Sequence, residues 1–306
     1  MAKGNMLLGY SRGAVGDVVF TRTKGQQIAR ARNRNPKNPK TRAQMAQRSI
    51  FASAVEFFKR GQQNLFQFAF ESKGTKQSDY NAFMSVNAKN GIYVTPSQVK
   101  NARFPMVGNY IMSQGSLVRD LMGKTTAAGD AVFLVGDKLQ QYSNAEQFAT
   151  IGALSTELKK YGFLEGDIVT ICQISAEMPG RTTGSAPKEA QTAPEWKLVQ
   201  FIVDSTSTAA VPASWNIWNN IEEQEGPSVG VAFASENATD PEQINAMVVI
   251  VSRKENGTVK VTSSQLAGSK GWNDCITAAT ADTYLESVLT EWQASEEAIL
   301  KGSLAE

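Results

Sequence analysis

The chain has 306 residues, no histidine and two cysteines, with 31 Lys and Arg against 29 Asp and Glu. Without histidine there is neither the commonest general base near neutral pH nor the commonest metal ligand. Cys172 and Cys275 lie far apart with no Cys-x-x-Cys spacing, so no zinc set assembles around them and both read as buried thiols. The near-zero net charge hides a split: 18 basic residues face 4 acidic ones up to Phe104, whereas 13 face 25 from Pro105 onward. Such asymmetry bears on partners, because a surface of one sign attracts polyanions, and it says nothing about fold.

At the N-terminus, Met1 to Gly16 carries no apolar run of secretory length, and the longest apolar run anywhere, Ala246 to Val251, is strand-sized. The expectation is a protein made in the cytoplasm with no membrane partner. Val15 to Arg34 reads as a β-hairpin turning at Lys24-Gly25, with Arg30, Arg32 and Arg34 in one stripe on the second strand and Ala29 and Ala31 on its other side. Gly9, Gly13 and Gly16 precede a strand and do not open a helix after one, so they read as turn glycines and not as a dinucleotide fingerprint.

Asn35-Pro36-Lys37-Asn38-Pro39-Lys40 is an extended connector by its prolines, and Thr41 opens a capping box with Gln44. The helix should run from about Arg42 to Arg60 and stop at Gly61. Its apolar face is Ala43, Ala46, Ile50, Ala54 and Phe57, widened by Phe51, Val55 and Phe58, with Arg42 and Arg48 outside. Helical pieces follow near Leu65 to Phe70 and from Ser78 to Lys89. The cluster Phe57, Phe58, Phe66, Phe68, Phe70 and Phe83 reads as core, because helical spacing of aromatics favours packing over base stacking.

Beyond Pro105 strand-like runs dominate: Ala131 to Val135, Asp167 to Ile174, Trp196 to Val203, Ser228 to Ala234, Ala246 to Arg253 and Thr258 to Thr262, the last two joined by the hairpin signal Asn256-Gly257. One helix is expected from a cap at Ser143 and Glu146 to Gly162, another from about Asp282 to Lys301. The segment from Met178 to Glu195 reads as a long functional or mobile loop. Gly123-Lys124-Thr125 lacks the glycine a phosphate loop needs, since Val118 stands five positions before Gly123. The carboxylates Asp130, Asp137, Glu165, Asp167, Glu222, Glu223 and Glu225 read as ordinary surface charge.

The expected fold is α+β: a small basic hairpin-and-helix unit over residues 1–104, then an acidic β-rich domain, sandwich or barrel-like, with two or more helices over 105–306. Val15 to Phe51, with Gly16-Asp17-Val18-Val19-Phe20, Gly25, Arg30-x-Arg32 and Asn38-Pro39-Lys40-Thr41-x-x-Gln44-x-x-x-Arg48, resembles an uncharacterised family found in Bacteroides-group gut bacteria and their bacteriophages. The resemblance implies a phage-linked structural protein and offers no catalytic residues to carry over.

The functional expectation is therefore a non-enzymatic capsid or head-associated subunit, located in the virion and assembled in the host cytoplasm. It would form homo-oligomers or join other virion proteins, with no cofactor and no metal. Its basic region would contact nucleic acid non-specifically through Arg22, Lys24, Arg30, Arg32, Arg34, Lys37, Lys40, Arg42 and Arg48. The alternative is a bacterial surface or intercellular adhesion protein without catalysis.

Overall fold

A computed structural model describes residues 3–5, 10–23, 26–34, 40–61, 63–66, 69–71, 77–100, 103–117, 121–125, 131–135, 149–159, 162–188, 190, 193–210, 230–233 and 242–303. The chain forms two compact units. One comprises Met1–Thr41 with Gly74–Lys76, the other Arg42–Lys73 with Gln77–Glu306.

The first unit is an antiparallel meander of β1 (Lys3–Asn5), β2 (Tyr10–Val15), β3 (Val18–Thr23) and β4 (Gln26–Ala31), paired in that order. The expected hairpin is present as β3 and β4, whose connection at 24–25 lies outside the described residues. A second tight turn, Gly16-Asp17, closes β2 on β3 with Val15 opposite Val18. Gly16 takes φ 56 there, a left-handed conformation glycine adopts without steric cost. Register places Gly13, Phe20 and Ala29 in one row and Val15, Val18 and Ala31 in the next on the same face, with Val19, Thr21, Ile28 and Arg30 on the opposite face. Val15, Val18 and Ile28 are all exposed, and no described side chain of this unit is buried, so the described residues of the meander form a single layer without an interior.

In the second unit, α1 (Arg42–Arg60), α2 (Gln63–Phe66), α3 (Asp79–Asn87) and α4 (Pro96–Lys100) precede β5 (Ile111–Ser113), β6 (Leu121–Thr125) and β7 (Ala131–Val135). Then come α5 (Ile151–Lys159), β8 (Ile168–Glu177), β9 (Glu195–Ile202), β10 (Gly230–Phe233), β11 (Gln243–Glu255), β12 (Thr258–Val261), β13 (Ser264–Gln265), β14 (Ala267–Gly268), α6 (Lys270–Ala279) and α7 (Asp282–Ser303). The main sheet runs β12-β11-β8-β9 with β14 also on β11, while β10-β7-β6 and β13-β5 form smaller antiparallel sheets. The fold is α+β as expected, but its sheets do not close into a barrel.

β11 explains the architecture. Ile244 to Val251 is buried at every position, so both faces of that strand are covered, and from Ala246 to Val251 its sequence is a continuous apolar run without alternation. Asn256 and Gly257 take φ 50 and 79 in the turn to β12, the conformation the Asn-Gly pair favours.

α1 docks along Met45, Ser49, Ser53, Ala54 and Phe57. The Val94 N–H donates to Ser49 Oγ at 2.7 Å and that hydroxyl donates to the Val94 carbonyl at 2.9 Å, while the Ile92 N–H donates to Ser53 Oγ at 3.2 Å. The approach is close: a Cβ on Gly91 would lie 2.0 Å from Ser53 Oγ, so only glycine fits. Phe57 stacks on Phe83 at 5.9 Å between centroids and meets Tyr110 and Trp196 at 4.0 and 5.5 Å. Of the expected aromatic core, Phe57, Phe66, Phe70 and Phe83 are buried and Phe58 packs against them; Phe68 lies outside the described residues.

A single hydrophobic cluster runs from Ala54 through Phe83, Phe104, Met106 and Tyr110 to the strand residues Cys172 and Val248 and on to Ala279. Compactness therefore divides the chain at residue 41, whereas composition shifts at 104–105. Charge is a property of side chains at the surface, and the core beneath joins both sides of Pro105.

Candidate nucleic-acid interface

The nine cations read as an interface fall in two places. Arg30 stands on β4 opposite Val19, exposed. Arg32 and Arg34 were expected to share its strand, but β4 ends at Ala31. The reason is its neighbour. Ala31 already pairs with Val18, the first residue of β3, and beyond it the chain meets the Gly16-Asp17 turn instead of a strand. Arg32 meets that turn through its backbone, donating its N–H to the Asp17 carbonyl at 2.6 Å, and the Arg34 guanidinium pairs with the Asp17 carboxylate at 2.5 Å, both side chains largely in solvent. The three arginines thus belong to one end of the meander, but not to one strand face.

Arg22 stands on β3 opposite Gln27, Lys40 is exposed at φ 47 just before α1, and Lys24 and Lys37 lie outside the described residues.

Arg42 and Arg48 are carried by α1 in the other unit, both exposed. Arg42 is already engaged: its Nε donates to Glu286 at 2.8 Å and an Nη to Asp282 at 3.2 Å, and the Glu286 bond foremost raises the guanidinium pKa. Its structural role is to tie α1 to α7. Arg48 donates to Met45 Sδ at 3.7 Å.

Among the carboxylates read as surface charge, Asp167 is a correction. It is fully buried, accepts from Arg253 through both oxygens at 2.7 Å each and takes the Leu164 N–H at 2.8 Å. A charge removed from water is retained where it is paired and its lone pairs are filled, and no local pattern announces a partner 86 residues away. Glu165 is a surface residue as expected, bound by Lys159 and Ser205, and the Lys159 bond foremost holds its carboxyl down to about 2. The other five lie outside the described residues.

Both thiols are buried. Burial pushes Cys172 far above its ordinary range and Cys275 up to about 11, so neither is a nucleophile at neutral pH. Gly123-Lys124-Thr125 lies on β6, paired to β7, which fits the rejection of a phosphate loop. The loop after β8 is tied down where it is described. Gly180 and Gly184 take positive φ, the Gly180 N–H donates to Glu242 at 2.7 Å, Lys188 donates to the Gly180 carbonyl, and Gln98 donates to the Pro187 carbonyl at 3.0 Å.

No group of three His, Cys, Asp or Glu among the described residues is placed to hold a metal ion, and no described helix is long and apolar enough to cross a membrane. What the geometry defines is an α+β body and a separate, arginine-bearing single-layer sheet. Residues 10–135 match the model of a family of unknown function (DUF6266), which includes the whole stretch from Val15 to Phe51 that carries the resemblance. No curated protein and no solved structure matches the chain.

Proposed function

We propose that this chain is a non-catalytic structural subunit of an assembled particle, of the virion kind that its N-terminal resemblance implies, and that the meander lies against nucleic acid. The carrying observation is the state of Arg30 and Arg32: both are exposed, and neither guanidinium has an acidic partner among the described residues. Residues 1–41 hold nine Lys and Arg and a single acidic residue, Asp17. Cations of this kind displace counterions from a phosphate backbone without reading bases, which suits a protein that coats nucleic acid of any sequence. Identical subunits of a particle associate with one another, and closed symmetry is the usual outcome.

Binding of the full chain to a duplex, followed by fluorescence anisotropy from low to high salt, tests the reading. Arg30→Ser with Arg32→Ser should lower the log–log salt slope by about 2, since each phosphate contact contributes roughly 0.9. Arg42→Ser should leave the slope unchanged, because Glu286 and Asp282 already hold that charge. A double variant with the unaltered slope would remove the meander from the interface.

A further inference from the structure

A cleft of about 230 Å³ opens at one end of the main sheet, lined by Ser175, Glu177, Ala193, Glu195, Gln243 and Asn245. Register builds it. Asn245 pairs with Ser175, and Ser175 with Glu195, so these three form a row across β11, β8 and β9. Gln243 pairs with Glu177 two residues along, on the same face.

Two features point to a ligand. Asn245 is only 6% exposed, and its backbone N–H and C=O are both engaged by Ser269, yet its side-chain amide has no hydrogen bond among the described residues. That amide opens on the cleft, where its oxygen and NH2 are available to a ligand. Glu195 is exposed beside it and has no ion pair among the described residues.

The lining is rich in acceptors: two carboxylates that only accept, plus amide and hydroxyl oxygens. Two carboxylates and no third acidic, Cys or His neighbour make a poor divalent-metal set. The volume falls below the roughly 300–1,000 Å³ of sites that enclose a whole drug-sized ligand, so it suits an end group. A guanidinium answers all three conditions. It is a planar cation with five donors, it loses its hydration readily, and it satisfies a carboxylate and an amide oxygen together.

We propose that this cleft is a guanidinium-binding site, taking either a small guanidino compound or an arginine side chain of a second copy of this chain. The inference does not rest on the nucleic-acid reading, since the cleft is lined by other residues; only its second-copy source would draw on Arg30, Arg32 or Arg34. The test is titration of the ¹⁵N-labelled full chain with N-acetyl-arginine amide, a monocation, and with N-acetyl-lysine amide. Saturable shifts confined to residues 175–177, 193–195 and 243–245, at least tenfold stronger for the arginine compound and weakened at least tenfold by Glu195→Gln, are expected. Glu195→Gln is isosteric and exposed, and Glu177→Gln gives a second variant should the first disturb the fold. A peptide of residues 26–34 binding at least tenfold more tightly than the single amino-acid amide identifies the second copy as the source, and equal binding identifies a free guanidino compound. No saturable shift, equal response to lysine, or affinity unchanged in both variants overturns the proposal.

Discussion

Phe51 and Phe57 share one helix and have opposite surroundings: Phe57 has no solvent exposure and touches three other rings, whereas Phe51 is 44% exposed. Helical periodicity identified the helix and its centre line but not the width of its buried face. That width is set by what lies across from it, here the segment at Ile92 and Val94 that bonds Ser49 and Ser53. Two serines in the docking stripe are invisible to a count of apolar residues. Phe57→Ala should cost about 3–5 kcal/mol through lost transfer energy and the cavity left behind. Phe51→Ala should stay within about 1 kcal/mol, as a ring left largely in water has little to lose. Denaturant unfolding of both variants measures the difference, and equal losses would mean that Phe51 is covered in solution.

Elements were legible where a local signal sufficed. The β-branched runs that became β7 to β12 are placed within a few residues, α1 spans the expected Arg42 to Arg60, and α3 starts behind its Ser78 cap, whose side chain accepts the Asn81 N–H. β1 and β2 escaped because glycines dilute their pattern, and α4 because it is only five residues long. α6 escaped too. Its cap, Ser269, is followed at once by Lys270 and Gly271 with Trp272 in place of the Glu or Gln of a capping box. The expected cap at Ser143 and Glu146 lies outside the described residues, and α5 begins only at Ile151, after Thr150 pairs with Ala210. The cleft was illegible because its row comes from three strands whose register no local pattern specifies. For the meander, a layer with nothing buried among its described side chains has little to resist opening. Hydrogen exchange should therefore show the amides of β2 to β4 protected far less than those of Ile244 to Val251. Comparable protection would show that the sheet is covered in solution.

The whole molecule should be insensitive to pH through the neutral range and sensitive at both ends. With no histidine, no side chain has an ordinary pKa between about 5 and 8. In acid, Glu165 is held at about 2, chiefly by its Lys159 bond. Glu71 is lowered by the Ser116 N–H, and Glu255 by Lys260. Glu56 is lowered by Lys59 and Arg60 against the larger opposing effect of its own burial. Folded values below the unfolded ones mean that this stabilisation is complete above about 4.5 and disappears as pH falls toward 2. In alkali, burial raises Cys275 to about 11, and Cys172 and Tyr110 higher still, so the unfolded chain ionises first and stability declines above about 9. Thermal melts from pH 2 to 11 should show a plateau with two flanks; a step inside the plateau would contradict the assignment.

The core that spans Pro105 also bears on how relatives of this chain can be built. The family match ends at residue 135, after β7, yet the cluster that buries Phe57, Phe83 and Tyr110 is completed by β8 and β11, which follow that boundary. The end of the match thus falls in the middle of a folding unit. A protein that shared only residues 10–135 would need further strands downstream to cover the rings that β8 and β11 cover here.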